Sequence, residues 1–376
     1  MDLSLTESQK MLKASAADFV KNEFPQRTIT EFSKKAVGFA PEQWAHAAAL
    51  GWLGMIVPRE YGGGGASFTD AAVVFEELGR GPVPGPFFSS GILSTLTILA
   101  GGTESQKREL LPAIAQGGRI ATLAITDPSP YFGPDAVMAE AVERNGDYIL
   151  NGTRPFVHDA MAANLFICAF RTGAANDPKG SVTLFLVDRE TPGVSVRPLQ
   201  GFVGPIGEVT FDAVRVPKSK VLGEVNAGWA ALDRAMDQAL PVLCAYQVGG
   251  CQEVFDFTCE YTRTRVVFAQ PIGRFQRVQD HVIDLSLHMD GARWTTYEAL
   301  WKLDSGRDAR ASVHMAKAVA SEGYYQACNS SFEVHAGIGT DRNHPLVPHG
   351  MMSRMLYQYL GNPRYHKRLM ADAEDL

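Results

Sequence analysis

The stretch from Ala245 to Gln276 limits what this chain can fold into more than any other part of it. It reads Ala-Tyr-Gln-Val-Gly-Gly-Cys-Gln and runs on to Thr-Arg-Thr-Arg-Val-Val-Phe-Ala-Gln-Pro-Ile-Gly-Arg-Phe-Gln. Val248, Cys251, Phe255 and Cys259 recur at steps of three and four, which lines one helical face with apolar atoms. Asp256, Glu260 and Arg263 lie off that stripe. The pattern predicts a helix that ends near Val266–Phe268, a short turn at Pro271 and Gly273, and a second long helix from Phe275. Such a helical hairpin leaves Arg265, Phe268, Gln270 and Gln276 at its corner. Taken alone, an Arg and a Phe there read as a surface cation and a core ring.

The rest of the chain falls into three compositional segments. At 376 residues it is long enough for more than one core. Residues 1–118 read as an α-helical domain. Thr6 and Gln9 form a capping box, a helix covers Pro41–Leu50, and others cover Phe68–Leu78, Ile92–Ala100 and the stretch after Thr103. The run Gly62–Gly65 suggests a phosphate cradle, but no Gly-Lys-Ser/Thr follows it, so a plain flexible turn is expected. Residues 119–222 carry short runs rich in β-branched residues, from Ile120–Thr126 to Glu208–Val216. Asn145-Gly146 and Asn151-Gly152 read as hairpin turns. This is a mostly antiparallel β-domain. It has no strand–helix alternation and no Gly-x-Gly-x-x-Gly, which argues against a Rossmann fold. Residues 223–376 predict long helices at Ala227–Val266, Phe275–Leu303, Ala309–His335 and Leu346–Leu360, which pack naturally as a four-helix bundle. The fold class expected is α+β.

A net charge of −6 without a basic stripe argues against nucleic acid as a partner. No apolar run reaches membrane-spanning length. The start, Met-Asp-Leu-Ser-Leu-Thr-Glu, lacks the basic and apolar parts of a signal peptide, so a cytoplasmic protein is expected. The five Cys show no Cys-x-x-Cys spacing and read as reduced core thiols, with no metal site.

The corner motif, "TRxxFxxPIGxFQ" after an "AxQVGGxQ" helix, resembles the acyl-CoA dehydrogenase family. "GWxGxxVPxEYGGxG" from Gly51 and the Gly-Thr-Glu-Ser-Gln-Lys stretch at Gly102 resemble its N-terminal domain, so the likeness covers nearly the whole chain. The resemblance implies a flavoprotein that desaturates an acyl-CoA thioester between Cα and Cβ, with flavin adenine dinucleotide (FAD) as cofactor. It also implies a homo-oligomer or a mixed oligomer with a related subunit, and an electron-transfer flavoprotein or similar acceptor. Arg265, Phe268, Gln270 and Gln276 carry over as FAD contacts, made by this family across a subunit boundary. A guanidinium's planar fork of donors suits the diphosphate. Thr126, in Leu-Ala-Ile-Thr-Asp-Pro, matches the loop that faces the isoalloxazine. Phe156-Val157-His158-Asp159 matches the strand that supplies a Thr or Ser near the flavin N5, with His158 in its place. Glu333, Ala336 and Gly337 match "QxxGGxG", the segment under the adenine side. There the Glu sets a negative charge near a diphosphate, and Ala336 adds a methyl where backbone approaches closely. No Ser precedes Asp135, where the family has Gly-x-Gly-Ser-Asp.

The chemistry the resemblance implies needs a base for the α-proton, normally a carboxylate. Leu360 stands where the family's common Glu would be. A subgroup that shares "GxxxYH" carries its Glu in Ala-Glu-Gln-Val-Gly, but here that position is Tyr246. A third family site falls near Ala239 or Leu240. No catalytic residue is therefore assigned. Tyrosine, with an unperturbed pKa near ~10, makes a poor base at neutral pH. Three readings follow: a dehydrogenase that is the base-lacking member of a mixed oligomer, a structural subunit that completes a partner's flavin site, or a same-fold flavoenzyme or lyase that needs no carboxylate.

Overall fold

The computed structural model describes residues 4–32, 38–173, 177–199 and 206–376; Met1–Leu3 of the N-terminal stretch read above lie outside them. In chain order the helices α1 (Glu7–Glu23), α2 (Gln26–Phe32), α3 (Pro41–Ala49), α4 (Phe68–Arg80), α5 (Thr95–Gly101) and α6 (Glu104–Ala115) come first. Seven strands follow: β1 (Ala121–Ala124), β2 (Ala141–Arg144), β3 (Asp147–Val157), β4 (Leu165–Arg171), β5 (Val182–Asp188), β6 (Val194–Pro198) and β7 (Gly207–Pro217). The chain then forms α7 (Gly228–Thr264), the small strands β8 (Val266–Val267) and β9 (Gln270–Pro271), α8 (Gln276–Asp304), α9 (Arg310–His335), α10 (Leu346–Gln358) and α11 (Pro363–Ala373). Two compact units result: residues 34–66 with 84–239, and residues 1–33 with 67–83 and 240–376.

The first unit holds the β-domain. One sheet runs β2-β3-β7-β6, all antiparallel, and the other runs β1-β4-β5, with β1 parallel to β4. Phe170 meets Phe185 and Phe211 edge-on, with centroids 6.1 and 5.5 Å apart, inside a core of Val, Leu and Ala side chains. Each such buried ring contributes about 1.5–3 kcal/mol. Asn145-Gly146 makes the expected hairpin turn, both residues at positive φ. Asn151-Gly152 does not. It lies inside β3, where the pairing with β7 slips between Leu150 and Gly152, and Gly152 at φ 141 supplies the bulge. The glycine run is no loose turn either. Gly63, Gly64 and Gly65 donate to the carbonyls of Pro58, Gly54 and Val57, and a Cβ on Gly63 would stand 2.2 Å from the Val57 oxygen. Close approach, not mobility, explains that glycine. Before α5 the chain makes a π-helical turn over Ser89–Ser94.

The second unit is helical. The capping box at Thr6 forms, with Thr6 N and Gln9 N each bonded to the other's side chain. Backbones touch where α4 meets α7: a Cβ on Gly79 would lie 1.9 Å from the Tyr246 oxygen, and one on Gly249 would lie 1.8 Å from that of Glu76. Lys13 and Arg293 pair with the buried Glu76 carboxylate, and the Tyr297 hydroxyl donates to it at 2.6 Å. α8, α9 and α10 each touch the later part of α7, through Arg293–Gln252, Gln247–Ser321 and Phe257–His349, and α11 lies along α9. α2 and α11 were not legible as helices in the sequence, because the short pattern before Ser33 and the proline at position 363 hid them. Asn362 caps α11 through the Tyr365 amide, and the proline is at its first turn, where a missing N–H costs nothing.

Candidate functional site

In the first unit, the end of β3 carries two of the residues singled out above. Phe156 is 58 % exposed and sits at φ 55, and Asp159 sits at φ 56. A bulky residue at positive φ is strained by roughly 1–3 kcal/mol, and such strain gathers at ligand sites. His158, half-buried, follows the strand, and its carbonyl accepts from the Thr122 hydroxyl at 2.7 Å. Thr126 donates its hydroxyl to the Pro155 carbonyl at 3.3 Å, so its proton is already used within the protein. The loop after Thr126 is stapled by a buried ion pair. Asp127 accepts from the amides of Met138 and Ala139 and pairs with Arg154, whose other nitrogen donates to Ala169 O at 2.7 Å. Arg154 lies over the Phe170 ring at 4.3 Å. Asp135 lies in a short helical turn at 134–136.

In the second unit, the corner between α7 and α8 is a small hairpin. Val266 pairs with Pro271 and Val267 with Gln270. Phe268 and Ala269 form its two-residue tip at φ 51 and 61, a turn that usually takes Asn-Gly. Phe268 is 88 % exposed, and the edge of Phe275 lies 6.4 Å from it. Arg265 is exposed, and no ion pair among the described residues claims its guanidinium. Its carbonyl accepts from the Ile272 amide at 2.9 Å, which ties the arginine's backbone to the short turn at Ile272–Arg274 that precedes α8. α8 begins at Gln276, itself exposed, with no side-chain cap. The amides of Val278 and Gln279 donate to the Phe275 carbonyl, and no side chain caps those of Gln276 and Arg277, so the positive dipole end beside Arg274 and Arg277 is a setting that favours an anion.

The sequence-matched trio Glu333, Ala336 and Gly337 lies at the junction of α9 with the next turn. Glu333, exposed, lines a cleft of about 430 Å³ between α9 and α10 together with Asn329, Thr340 and Arg354. Ala336 ends α9 at φ 51 and ψ −137, a conformation that suits glycine. A Cβ on Gly337 would meet open space.

Neither base position carries proton chemistry. Tyr246 is 7 % exposed, its hydroxyl donates to the Val83 carbonyl at 3.2 Å, and burial raises its pKa far above the ordinary value. Leu360 is buried at φ 60, and its carbonyl accepts from His366 Nε2 at 3.0 Å. A carbonyl only accepts, so Nε2 carries the proton. Burial lowers the His366 pKa to about 2, so the ring is neutral and its Nδ1 accepts from His314 Nδ1, 3.1 Å away. Lys317, fully buried on α9, donates to Ser321 Oγ at 2.7 Å and to Leu356 O at 2.9 Å, and burial lowers its pKa to about 8. Leu356 lies in the last turn of α10, so the lysine caps that helix end. This Lys–His scaffold was not legible in the sequence. The "GxxxYH" string was the one signal for it.

Comparisons with known proteins agree with the architecture. The family's acyl-CoA dehydrogenase N-terminal, middle and C-terminal domain profiles match residues 6–118, 122–214 and 226–374. An L-prolyl-[peptidyl-carrier protein] dehydrogenase of Serratia sp. is 31% identical, covering 93% of this chain and 92% of its own. A 3-(aryl)acrylate reductase of Clostridium sporogenes is 28% identical over 97% and 98%. A solved structure, PigA with FAD and proline, superposes with a TM-score of 0.90 at 29% identity, covering all of both chains.

The residues present fit FAD on this chain's own geometry. Each unit by itself offers features that suit it. In the first, Phe156 is an exposed ring at strained φ. In the second, the exposed ring of Phe268, also at strained φ, and the exposed Arg265 lie in the hairpin that precedes the uncapped start of α8. Glu333 and Ala336 are the departures, and both lie outside those features. Among the described residues no cluster of His, Cys, Asp and Glu has metal-holding geometry, and no helix is long and apolar enough to cross a membrane. All five cysteines are free. The chain belongs to the acyl-CoA dehydrogenase family and is an FAD-dependent oxidoreductase.

Proposed function

We propose that this chain is an acyl-thioester dehydrogenase subunit that acts on the Cα–Cβ bond of an acyl-CoA and takes its carboxylate base from a related partner subunit. The observation that supports this most is the state of Tyr246 and Leu360, both buried and bonded into the protein. FAD, when bound, supplies a hydride acceptor at Cβ. Arg265 and the open amides of α8 hold an anionic diphosphate. Phe156 and Phe268 offer flat apolar faces to aromatic rings. Removing the α-proton needs a group of suitable pKa within hydrogen-bond reach, and neither examined position supplies one.

Assembly is part of the same proposal. Ile283, Leu287 and Trp294 are 57, 66 and 56 % exposed along one face of α8, an apolar stripe that suits a second, related subunit as a homo- or hetero-oligomer of up to four chains. The proposal extends to residues 1–118, 119–222 and 223–376 as three domains, to a cytoplasmic setting in lipid catabolism, and to an electron-transfer flavoprotein or similar acceptor. The contacts proposed for Thr126, Phe156, His158, Gln270, Gln276, Glu333, Ala336 and Gly337 belong to it too. The test uses the chain purified alone and then together with related subunits. The visible spectrum, and the formation of enoyl product from a panel of acyl-CoA and carrier-protein thioesters, are measured in each case. The proposal expects bound flavin with little desaturation alone and full turnover in the mixed complex. Robust turnover by the isolated chain overturns the need for a partner, and a preparation that stays colourless with added FAD overturns the flavin site.

A further inference from the structure

The matched stretch Phe156-Val157-His158-Asp159 was singled out for its histidine, yet the less ordinary residue is the acid after it. Asp159 is 9 % exposed and sits at positive φ, as does Phe156 three residues earlier. Its Oδ2 accepts from the Ser89 hydroxyl at 2.5 Å. Ser89 opens the π-helical turn, the neighbouring Ser90 hydroxyl accepts from the Ala121 amide at 3.1 Å, and Thr122 bonds the His158 carbonyl. The turn after β3 is thus tied through side chains to β1 and to the π-turn. On its far side Arg189 donates to the Ala160 carbonyl at 2.8 Å and lies 3.3 Å from that of Ala163.

Charged groups facing the carboxyl are few. His158 precedes it on its own turn, Arg189 packs from the segment after β5 onto backbone carbonyls, and the π-turn offers only the serine hydroxyl. Arg119 is paired with Asp188. Burial therefore dominates and pushes the Asp159 pKa up to about 6, with the Ser89 bond pulling it down. A buried acid with a raised pKa makes the fold less stable once it ionises, so stability alone does not explain an ionisable group there. Asparagine would hold the same serine without that penalty.

We propose that Asp159, clamped by Ser89, is a positioning residue of the flavin-facing turn: its carboxyl fixes the strained segment Phe156–Ala160 and sets the charge beside the bound cofactor. The proposal rests on the reading that the end of β3 faces the flavin. It adds a residue, a partner and a pH dependence that the reading does not contain.

The test compares the FAD-loaded protein with Asp159→Asn and Ser89→Ala variants. The reduction potential and visible spectrum of the bound flavin are recorded between pH 5 and 8. The wild type is expected to show an inflection near pH 6, beyond the flavin's own slope. Asp159→Asn is expected to keep its flavin and lose the inflection; Ser89→Ala is expected to shift it to higher pH by removing a bond to the ionised form. An inflection unchanged in Asp159→Asn overturns the proposal. Should that variant bind no flavin, Ser89→Ala decides: a moved inflection supports the proposal and an unmoved one sinks it. The melting temperature of flavin-free protein gives a readout without cofactor. Asp159→Asn should melt higher than wild type above pH 6 and equally at pH 4, and equal melting at both pH values overturns the buried ionisation. Failure of the wild type to bind FAD at all would instead remove the reading on which this rests.

Discussion

Tyr246 and Leu360, the positions proposed for a base, contrast with Phe156 and Phe268, the aromatic positions proposed to meet a flavin. They differ in exposure and in the bonding of their polar atoms, although Leu360 shares the positive φ of the two rings. Tyr246 and Leu360 are buried, and their polar atoms are bonded within the fold. Phe156 and Phe268 are exposed and held at positive φ. Burying apolar atoms stabilises a fold, whereas exposing a ring at a strained backbone angle does the reverse. Under the proposed function, the exposed rings would meet the cofactor, whereas Tyr246 and Leu360 serve packing. On that proposal the difference separates binding from catalysis within one chain.

The largest expected effect breaks that separation. Replacing Leu360 by Glu restores an acid at a position whose backbone is already fixed by His366. A positioned general base contributes about 10²- to 10⁴-fold, so Leu360→Glu should raise desaturation by the isolated chain within that range. Stopped assays for enoyl product with an artificial electron acceptor would measure it. No gain in a variant that keeps its flavin would mean that the missing base lies elsewhere. Tyr246→Phe serves as the control, since losing a phenol bonded to Val83 should leave the rate unchanged.

The flavin side sharpens the comparison next. Arg265→Ala removes a charge-assisted donor, worth about 1.5–3 kcal/mol, or roughly ten- to hundredfold in FAD affinity. Phe268→Ala should weaken binding less, by about 1 kcal/mol, because a ring contact is lost without a charge. Quenching of flavin fluorescence on titration reads both. If Arg265→Ala binds FAD as tightly as the wild type, the diphosphate is held elsewhere.

Much of this arrangement was legible before the coordinates. The helix–sheet–helix order follows from periodicity, and the Pro271 and Gly273 breakers mark the break between α7 and α8. The turn expected there falls instead at Phe268 and Ala269, with Pro271 paired in β9. What was not legible depends on tertiary context. Asn151-Gly152 carries the local chemistry of a hairpin turn, but its neighbours pair straight through it and turn it into a bulge. Phe156, Phe268, Ala269 and Leu360 take positive φ that no residue-level preference favours. The Ser89–Asp159 bond joins residues 70 positions apart, and pattern reading has no access to such a pair.

A third effect concerns acid stability, where the second unit differs from the turn at Asp159. His349 is buried against the Tyr324 hydroxyl at 2.8 Å, and burial lowers its pKa to about 3. Its folded pKa is depressed, so its contribution is present above the unfolded value near 6.5 and is lost as pH falls towards 3. The loss is about 1.4 kcal/mol per pH unit. Asp159 acts with opposite sign, since its raised pKa makes the fold gain stability as pH falls from 6 towards 4. Urea unfolding at pH 7 and 5 would separate them. His349→Gln, which keeps a partner for Tyr324, should narrow its stability gap to the wild type by about 2 kcal/mol between those pH values. A constant gap would show that His349 does not stay neutral in the fold.

The smallest effect tests strain itself. Ala336 holds φ 51 and ψ −137 at the end of α9, where the family pattern that this stretch resembles has glycine. A non-glycine residue in such a region costs about 1–3 kcal/mol, and glycine's extra freedom in the unfolded chain returns about 0.5–1 kcal/mol of that. Ala336→Gly should therefore stabilise the protein by roughly 0.5–2 kcal/mol, read as a rise in melting temperature. The exposed side chain loses little packing, so no compensating cavity arises. If Ala336→Gly also tightens FAD binding, the methyl stands in the path of the cofactor. If stability rises and affinity does not move, the alanine strains the protein alone, and the contrast drawn from Phe156 and Phe268 does not extend to this turn.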